Sequence, residues 1–292
     1  MATIGLDKLY YAPITADTNG YESYGQPVQL AKAISASLTV EVAEGTLYAD
    51  DALSEKVSEF KSGKLTLGIA DIGVEAAQIL TGARVDSNGV LASSTEDTPQ
   101  PVAIGFRAKK SDGTYRYFWL YKVLFSVPGA DFSTKGDSIT FSTPSIEGTI
   151  MRRNMPDIKG KHLWKVEMDE VYETNDAPGI VDKTRIIIEH WYNAVYEPSF
   201  PIGIRTTSSS VVSGESVTLS VDAVAEANQY EWYETFNGAE KLLTTTTSNV
   251  HTTEPLTTLG EHVFCCKIHR PAGSLIISDS VTVTVTEDNT RM

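Results

Sequence analysis

The sequence predicts a mainly β protein: an all-β sandwich or partly open barrel followed by a second β-sandwich. Three observations predict it. Apolar and polar residues alternate with period two along many short runs. Asn-Gly or Asp-Gly pairs at Asn19-Gly20, Asn88-Gly89, Asp112-Gly113 and Asn237-Gly238 supply the positive φ angles of tight hairpins. Only two stretches carry a helical spacing.

In chain order, Leu38, Val40 and Val42 alternate with Thr39 and Glu41, and Leu65 and Leu67 alternate with Lys64 and Thr66. Both read as half-buried strands. Between them, Thr46 to Ser62 reads as a long polar loop, too long for a tight hairpin and so functional or ordered by a partner. Leu47 and Phe60 are spaced as apolar anchors for its ends, and Asp50, Asp51, Glu55 and Glu59 face outward. Gly73 to Leu80 places Val74, Ala77 and Leu80 on one helical face and stops at Gly82, a suitable C-cap.

Gly105 to Lys110, the Asp112-Gly113 turn and Tyr115 to Val127 read as a hairpin whose second arm is apolar or aromatic on both faces, as a central strand requires. Ser138 to Ser142 alternates again. Lys183 to Tyr196 carries Ile187, Trp191 and Val195 at four-residue spacing, although Ile186-Ile187-Ile188 suits a strand equally well. Pro198 and Pro201 mark a boundary, giving domains 1–198 and 199–292. Beyond it, Val217, Leu219 and Val221 alternate with polar residues, followed by Trp232, Asn237-Gly238, a run from Gly260 to Cys266, and Val281 to Val285.

The net charge is −14. Residues 1–198 hold 19 basic and 27 acidic residues, and residues 199–292 hold 5 and 11, so both parts are acidic. A chain of this sign lacks the basic excess that grips phosphates, though it can enclose DNA without holding it. Cys265 and Cys266 are adjacent and point to opposite faces of a strand, so no ordinary bridge joins them and a reducing compartment fits. No N-terminal apolar segment is evident and no run spans a bilayer. The expectation is a soluble product with no membrane partner, made in a cytoplasm.

Chemistry-bearing constellations are few. Asp50, Asp51, Glu55 and Glu59 share one solvated segment where nothing separates their pKa values, so a paired-carboxylate glycosidase is not expected. The cluster lacks the EF-hand order, and Asp86-Ser87-Asn88-Gly89 reads as a turn. In His262-x-x-Cys265-Cys266-x-x-His269, strand parity sends two ligand types to each face, so they do not converge on one ion. Nucleophile-elbow, P-loop and dinucleotide motifs are missing. No catalytic residue, metal or cofactor is expected. The histidines at 162, 190, 251, 262 and 269 read as surface or satisfied core residues. Trp119 reads as core rather than a sugar platform. Arg152 and Arg153, with Lys159 and Lys161, form the main basic patch and are candidates for contact with a neighbouring subunit.

The segment Thr46-Leu47-Tyr48-Ala49-Asp50-Asp51, with Phe60 to Leu67, resembles the major tail protein, or tail tube protein, of long non-contractile-tailed bacteriophages and prophages. The resemblance continues through Pro101–Lys110, Tyr115–Tyr121, Lys135–Phe141 and Glu147–Arg153, five pieces in one order, and covers about residues 1 to 198. It implies a virion protein in which six copies form a ring and rings stack into a tube through which DNA is ejected. The 46–62 loop would join subunits. Tape measure, tail terminator and tail tip proteins would be further partners. Glu41 and Glu147, on polar strand faces, are the candidates for acids lining the lumen.

Residues 199–292 resemble the disulfide-free immunoglobulin-like modules appended to phage virion proteins, with Trp232, Phe264 and Cys266 as core and Phe264 where the second cysteine usually sits. That domain would decorate the outside and could recognise host-surface glycans. Two other classes stay open: a two-domain β-sandwich adhesin or glycan-binding module, and a glycan-acting enzyme.

Overall fold

Most of the alternating runs become strands in the computed structural model, which describes residues 2–16, 19–49, 52–126, 144–170, 185–271 and 275–287. The protein is mainly β, with several sheets and no closed barrel among the described residues. Its chain divides into two units. The first holds Met1–Ala16, Glu22–Asn154 and His162–Glu197; the second holds Asp17–Tyr21, Met155–Lys161 and Pro198–Met292.

The first unit contains β1 (Thr3–Ala16), β2 (Glu22–Tyr24), β3 (Val28–Ala31), β4 (Ala33–Ala49), β5 (Ala52–Ile69), α1 (Val74–Thr81), β6 (Arg84–Val85), β7 (Leu91–Ala92), β8 (Val102–Lys110), β9 (Tyr115–Phe125), β10 (Ser145–Ile150) and β11 (Lys165–Asp169). Nine of these form one antiparallel sheet in the order β2-β1-β8-β9-β10-β5-β4, with β3 also beside β1 and β11 also beside β9. The β8–β9 hairpin turns at Asp112-Gly113, where Gly113 takes φ 90° and the Asp112 carboxylate accepts from the Thr114 amide and hydroxyl. As its sequence requires, β9 is central and covered on both faces.

On one face, Leu120, Val123 and Phe125 join Ile104, Leu65, Leu67, Ile146 and the helix residues Ala76 and Leu80. Leu9 and Leu30, from the other end of the strand order, share this core, so the open sheet curves round it. On the opposite face, Tyr117 and Trp119 pack under Trp191, with Ile187, Tyr192, Val195 and Tyr196 around them. Residues 185–189 are helical and turns follow, so the Ile187, Trp191, Val195 spacing marks a real buried side. The 138–142 run lies outside the described residues.

Two expectations change here. Helix α1 ends at Gly82 as anticipated, with φ 77°, but its buried side is Ala76, Leu80 and Thr81, and Val74 is exposed. The more consequential change concerns residues 46–49 and 52–62, which are paired strand rather than loop. β4 and β5 stay in register from Ala33↔Ile69 to Ala49↔Ala52, with irregularities at Ala33/Ser35, Glu41/Val42 and Leu47/Tyr48. Composition concealed this because the outer half of the ribbon rests on no core, so neither face needs to be apolar.

The second unit contains β12 (Ile204–Thr206), β13 (Ser210–Val212), β14 (Thr218–Val221), β15 (Gln229–Phe236), β16 (Ala239–Thr246), β17 (Val250–Thr252), β18 (Gly260–His269), β19 (Leu275–Ile277) and β20 (Val281–Thr286). One sheet runs β12-β14-β17; the other runs β13-β20-β18-β15-β16, with β19 beside β18. The sheets share one core, in which Leu219 and Val221 face Trp232, Phe264, Cys266 and Val283. This is an immunoglobulin-like sandwich, including the parallel pairing of β13 with β20. The Asn237-Gly238 turn joins β15 to β16 with both residues at positive φ.

This sandwich is not complete within residues 199–292. Ile158 is buried in its core. The buried Arg270 guanidinium donates to the carbonyl oxygens of Pro156, Asp157 and Ala225, and the Ala225 amide donates to the Ile158 carbonyl. A fragment of residues 199–292 would leave Arg270 short of two acceptors and the core short of an isoleucine, a costly combination. In the full chain, Ile158→Ala is expected to destabilise the second unit by about 2–5 kcal/mol. Hydrogen exchange would show this as lost protection at the Leu219, Trp232 and Cys266 amides, with Ile104 and Leu120 unchanged.

Candidate functional site

The feature of the first unit that no fold requirement explains is the free side of β4. Seventeen residues long, it ends the sheet and pairs only with β5 among the described residues. Register assigns its two faces. Ala36, Leu38, Val40 and Val42 lie opposite Leu67, Leu65, Gly63 and Phe60 on the apolar face. There Leu65 and Leu67 are fully buried, whereas Leu38, Val40 and Val42 remain 36%, 40% and 49% exposed. Ser37, Thr39 and Glu41 lie opposite Thr66, Lys64 and Ser62 on the polar face. β10 continues this division, with Ser145, Glu147 and Thr149 exposed and Ile146, Gly148 and Ile150 buried.

Glu41 and Glu147, chosen from separate strands, therefore share one face. They line a groove of about 400 Å³ with Ser62, Lys64, Ser126 and Thr149. Each acid has a partner that alternation could not reveal. Lys64 lies 2.9 Å from Glu147; the Ser62 hydroxyl donates to Glu41 at 3.0 Å, and Lys61 stands 4.0 Å from it. All four charged side chains are exposed, so these pairs contribute little stability, but they make the face close to neutral rather than strongly negative.

The expected loop residues separate. Phe60 is an anchor: its ring stacks on Trp164 at 4.6 Å between centroids. Leu47 is not, being 57% exposed opposite Glu55, because at that point the ribbon has no core beneath it. Glu55 and Glu59 are exposed, as expected. Tyr48 pairs through its backbone with Leu53. Asp50 and Asp51 lie outside the described residues.

Arg152 is exposed and available for contact. Arg153 is not. It is 1% exposed, its guanidinium sits 4.5 Å from the Tyr121 ring centroid, and it makes a two-pronged ion pair with Glu197, one contact at 2.7 Å. Neighbouring arginines on an extended chain point to opposite sides, and the second is a core cation that closes the end of the first unit. Lys159 and Lys161 belong to the second unit.

In the second unit, Trp232, Phe264 and Cys266 are fully buried in the core. Burial pushes the Cys266 thiol up to about 12 and also raises that of Cys265. The four metal-type side chains divide by parity: His262 and Cys266 face inward, and Cys265 and His269 face out. His262 meets Glu234 and Thr258, while His269 stands 3.2 Å from Glu231.

Among the described residues, each carboxyl whose pKa clearly departs from normal is held low. The Arg116 guanidinium lowers Asp169, the Arg205 guanidinium lowers Asp222, and His269 lowers Glu231. Backbone amides of Val90 and Asn88 lower Asp86, and the Thr114 hydroxyl lowers Asp112. These are the surroundings of ion pairs and turns, not of a general acid, which needs its pKa raised. No helix among the described residues is long and apolar enough to cross a membrane.

No protein-family model and no curated protein matches the chain. One solved structure, a polysaccharide lyase, aligns with 97% of this chain and 40% of its own length at 9% identity and TM-score 0.22, too low to carry an argument. The chain thus spans about 40% of that protein.

Two outcomes follow from this geometry. Glu41→Lys with Glu147→Lys removes the partners of Lys61 and Lys64 and adds two ammonium groups to the groove. The variant is expected to gain salt-sensitive duplex binding that the parent lacks, losing roughly 0.9 log units of affinity per log unit of salt for each phosphate contact. Fluorescence anisotropy of a labelled duplex across a salt series measures this, and equal binding by both proteins would show that the paired acids do not keep this face from gripping phosphates. Separately, the buried Cys266 thiol should resist iodoacetamide at neutral pH in the folded protein, since the thiolate is the nucleophile. Mass spectrometry before and after denaturation reports it; rapid native labelling of Cys266 would contradict its burial.

Proposed function

We propose that the chain is a structural subunit that assembles with copies of itself, serving as the major tail tube protein of a long non-contractile phage tail. One observation carries the reading: the open, seventeen-residue edge of β4 continued into a bare two-stranded ribbon. Proteins that stay monomeric blunt such edges with prolines, short strands or covering segments. β4 contains no proline, and an apolar row of Leu38, Val40 and Val42 runs along it. An isolated ribbon is marginal in water, so a partner surface gives it a reason to persist. Closure into a ring would pair each free edge with a neighbour's sheet and leave none over.

The ribbon would then lie between subunits or successive rings, and Arg152 would be available for contact with acidic residues such as Glu55 or Glu59. The polar face bearing Glu41 and Glu147, with its charges paired, suits a surface that a duplex slides along without adhering. The second unit, an immunoglobulin-like sandwich, would decorate the assembly. In this reading the protein acts in the virion after assembly in the bacterial cytoplasm, and binding and positioning, not catalysis, are its work.

Negative-stain microscopy of the purified protein is expected to show rings or tubes; a two-domain adhesin would remain dispersed. Replacing residues 43–59 by Asn-Gly joins the Val42–Phe60 pair through a two-residue turn and removes the bare ribbon. That variant should keep the circular dichroism and thermal transition of the parent but remain monomeric by light scattering. Rings formed by the shortened protein would refute the role assigned to the ribbon.

A further inference from the structure

In the second unit, His262 on β18 bridges two groups that both accept hydrogen bonds. Its Nδ1 lies 2.5 Å from the Glu234 Oε1 on β15. Its Nε2 lies 2.8 Å from the Thr258 carbonyl, in the segment joining β17 to β18. A carbonyl oxygen has no proton to give, so Nε2 must carry one. The contact between Nδ1 and the carboxyl oxygen needs another. A neutral histidine beside an ionised glutamate supplies a single proton, enough for one bond of the two. We infer that the complete bridge holds an extra proton, and that His262 with Glu234 forms a pH-sensitive latch on Thr258-Leu259, closed in acid and released as pH rises. The latch lies wholly within the second unit, so it does not depend on assembly of the chain with copies of itself.

The surroundings place that proton on the ring. Imidazole is a stronger base than a carboxylate. The Phe236 ring stacks on His262 at 4.6 Å between centroids, and an aromatic face favours a cation. Phe264 beside it and Val283 opposite it on β20 are uncharged. Three further titratable side chains border the same cleft: Lys241 on β16, His251 on β17 and Glu254 beyond it. Lys241 is in register with Glu234 and keeps that carboxylate ionised, whereas Glu254 favours a cationic ring. Burial lowers the pKa of His251, which therefore adds no charge at neutral pH.

Removing the proton forces a choice between the two acceptors. The charge-assisted bond to Glu234 is the stronger, so the remaining proton stays on Nδ1 and the Thr258 carbonyl faces a lone pair. His262 is only 4% exposed, so water cannot replace the lost partner on the ring side. Thr258 is exposed, and its carbonyl can turn outward to water. The release is local. The Thr253 hydroxyl still accepts from the Val217 amide, Leu256 stays bonded through its backbone to Gly214 and Glu215, and the Ser213 hydroxyl still donates to the Thr257 carbonyl. Gly260 already belongs to β18. Only Thr258 and Leu259 lie between these anchors, and Leu259 is 46% exposed even when latched.

NMR of the full chain tests the latch, reading the His262 ring nitrogens and the Thr258 carbonyl carbon from about pH 5 to 9, a span that includes the charge change of ordinary imidazoles. The His262 signals are identified by their loss in His262→Gln. The ring is expected to carry two N–H protons at the acid end and one at the alkaline end, with the Thr258 carbonyl shift moving at the same midpoint. A glutamine amide can donate to Nδ1, so in Glu234→Gln a neutral ring completes both bonds. There the Thr258 carbonyl is expected to hold its position across the whole range, an outcome that a merely structural glutamate would not produce. One ring N–H at the acid end, two at both ends, or a Thr258 carbonyl indifferent to the ring's titration overturns the proposal. So does a Thr258 carbonyl that titrates in Glu234→Gln as it does in the parent. If that variant does not fold, the two signals of the parent decide alone.

Discussion

Trp119 is fully buried across the strand from Gly105, and each depends on the other's size. A Cβ at residue 105 would sit 2.8 Å from three atoms of the indole, closer than side chains approach without displacement. With glycine there, the ring lies against the sheet and its Nε1–H donates to the Trp191 carbonyl at 3.1 Å. That bond holds the 187–196 segment over the second face of β9. The cover lies over β1, β8 and β9 and their aromatic residues, while β10, β5 and β4 present serine, threonine, lysine and glutamate on the corresponding face. The boundary between a sealed sheet and an accessible one is therefore set by how far the Trp191 segment reaches.

The two ends of this sheet are managed differently. At the β1 end, the flanking strands are short: three residues in β2 and four in β3, with Pro13 in β1 itself. At the β4 end the strand runs on for seventeen residues without proline, its pairing with β5 interrupted at three points by register irregularities. Short strands and proline are common means of preventing edge-to-edge association. Using them at one end only leaves β4 as the edge through which any edge-to-edge association would run.

What could be read from sequence was whatever a core dictates locally. β9 had to be central because both faces are apolar, and it is. Trp232, Phe264 and Cys266 are core, as the resemblance to immunoglobulin-like modules implied. Gly82 had to end α1, since φ 77° and a Thr98 backbone too close for any Cβ admit only glycine. Illegible were the features decided by distant neighbours. Arg153 and Arg152 are identical in type, and only Glu197, 44 residues away, makes one a core cation. Phe60 is an anchor because of Trp164. Residues 46–62 looked like loop because polar strands with two wet faces have a loop's composition. The lysine partners of Glu41 and Glu147 come from neighbouring strands, which periodicity within one strand cannot reveal.

The sharing of Met155–Lys161 with the second unit has a consequence for synthesis on the ribosome. Arg270 and the Pro156 carbonyl it binds are separated by 114 residues. At ribosomal rates of about 5–20 residues per second, the 155–161 segment waits roughly 6–23 s before its donor Arg270 has been made. Throughout that interval Ile158 has no sandwich core to enter, while β4, complete far earlier, already offers its open edge to any nascent neighbour on the same message. Were chains to pair through β4 as proposed, the order of emergence would place that pairing ahead of sandwich closure. Crowding of ribosomes along the transcript thereby becomes a variable in whether chains mature singly or meet before they are finished.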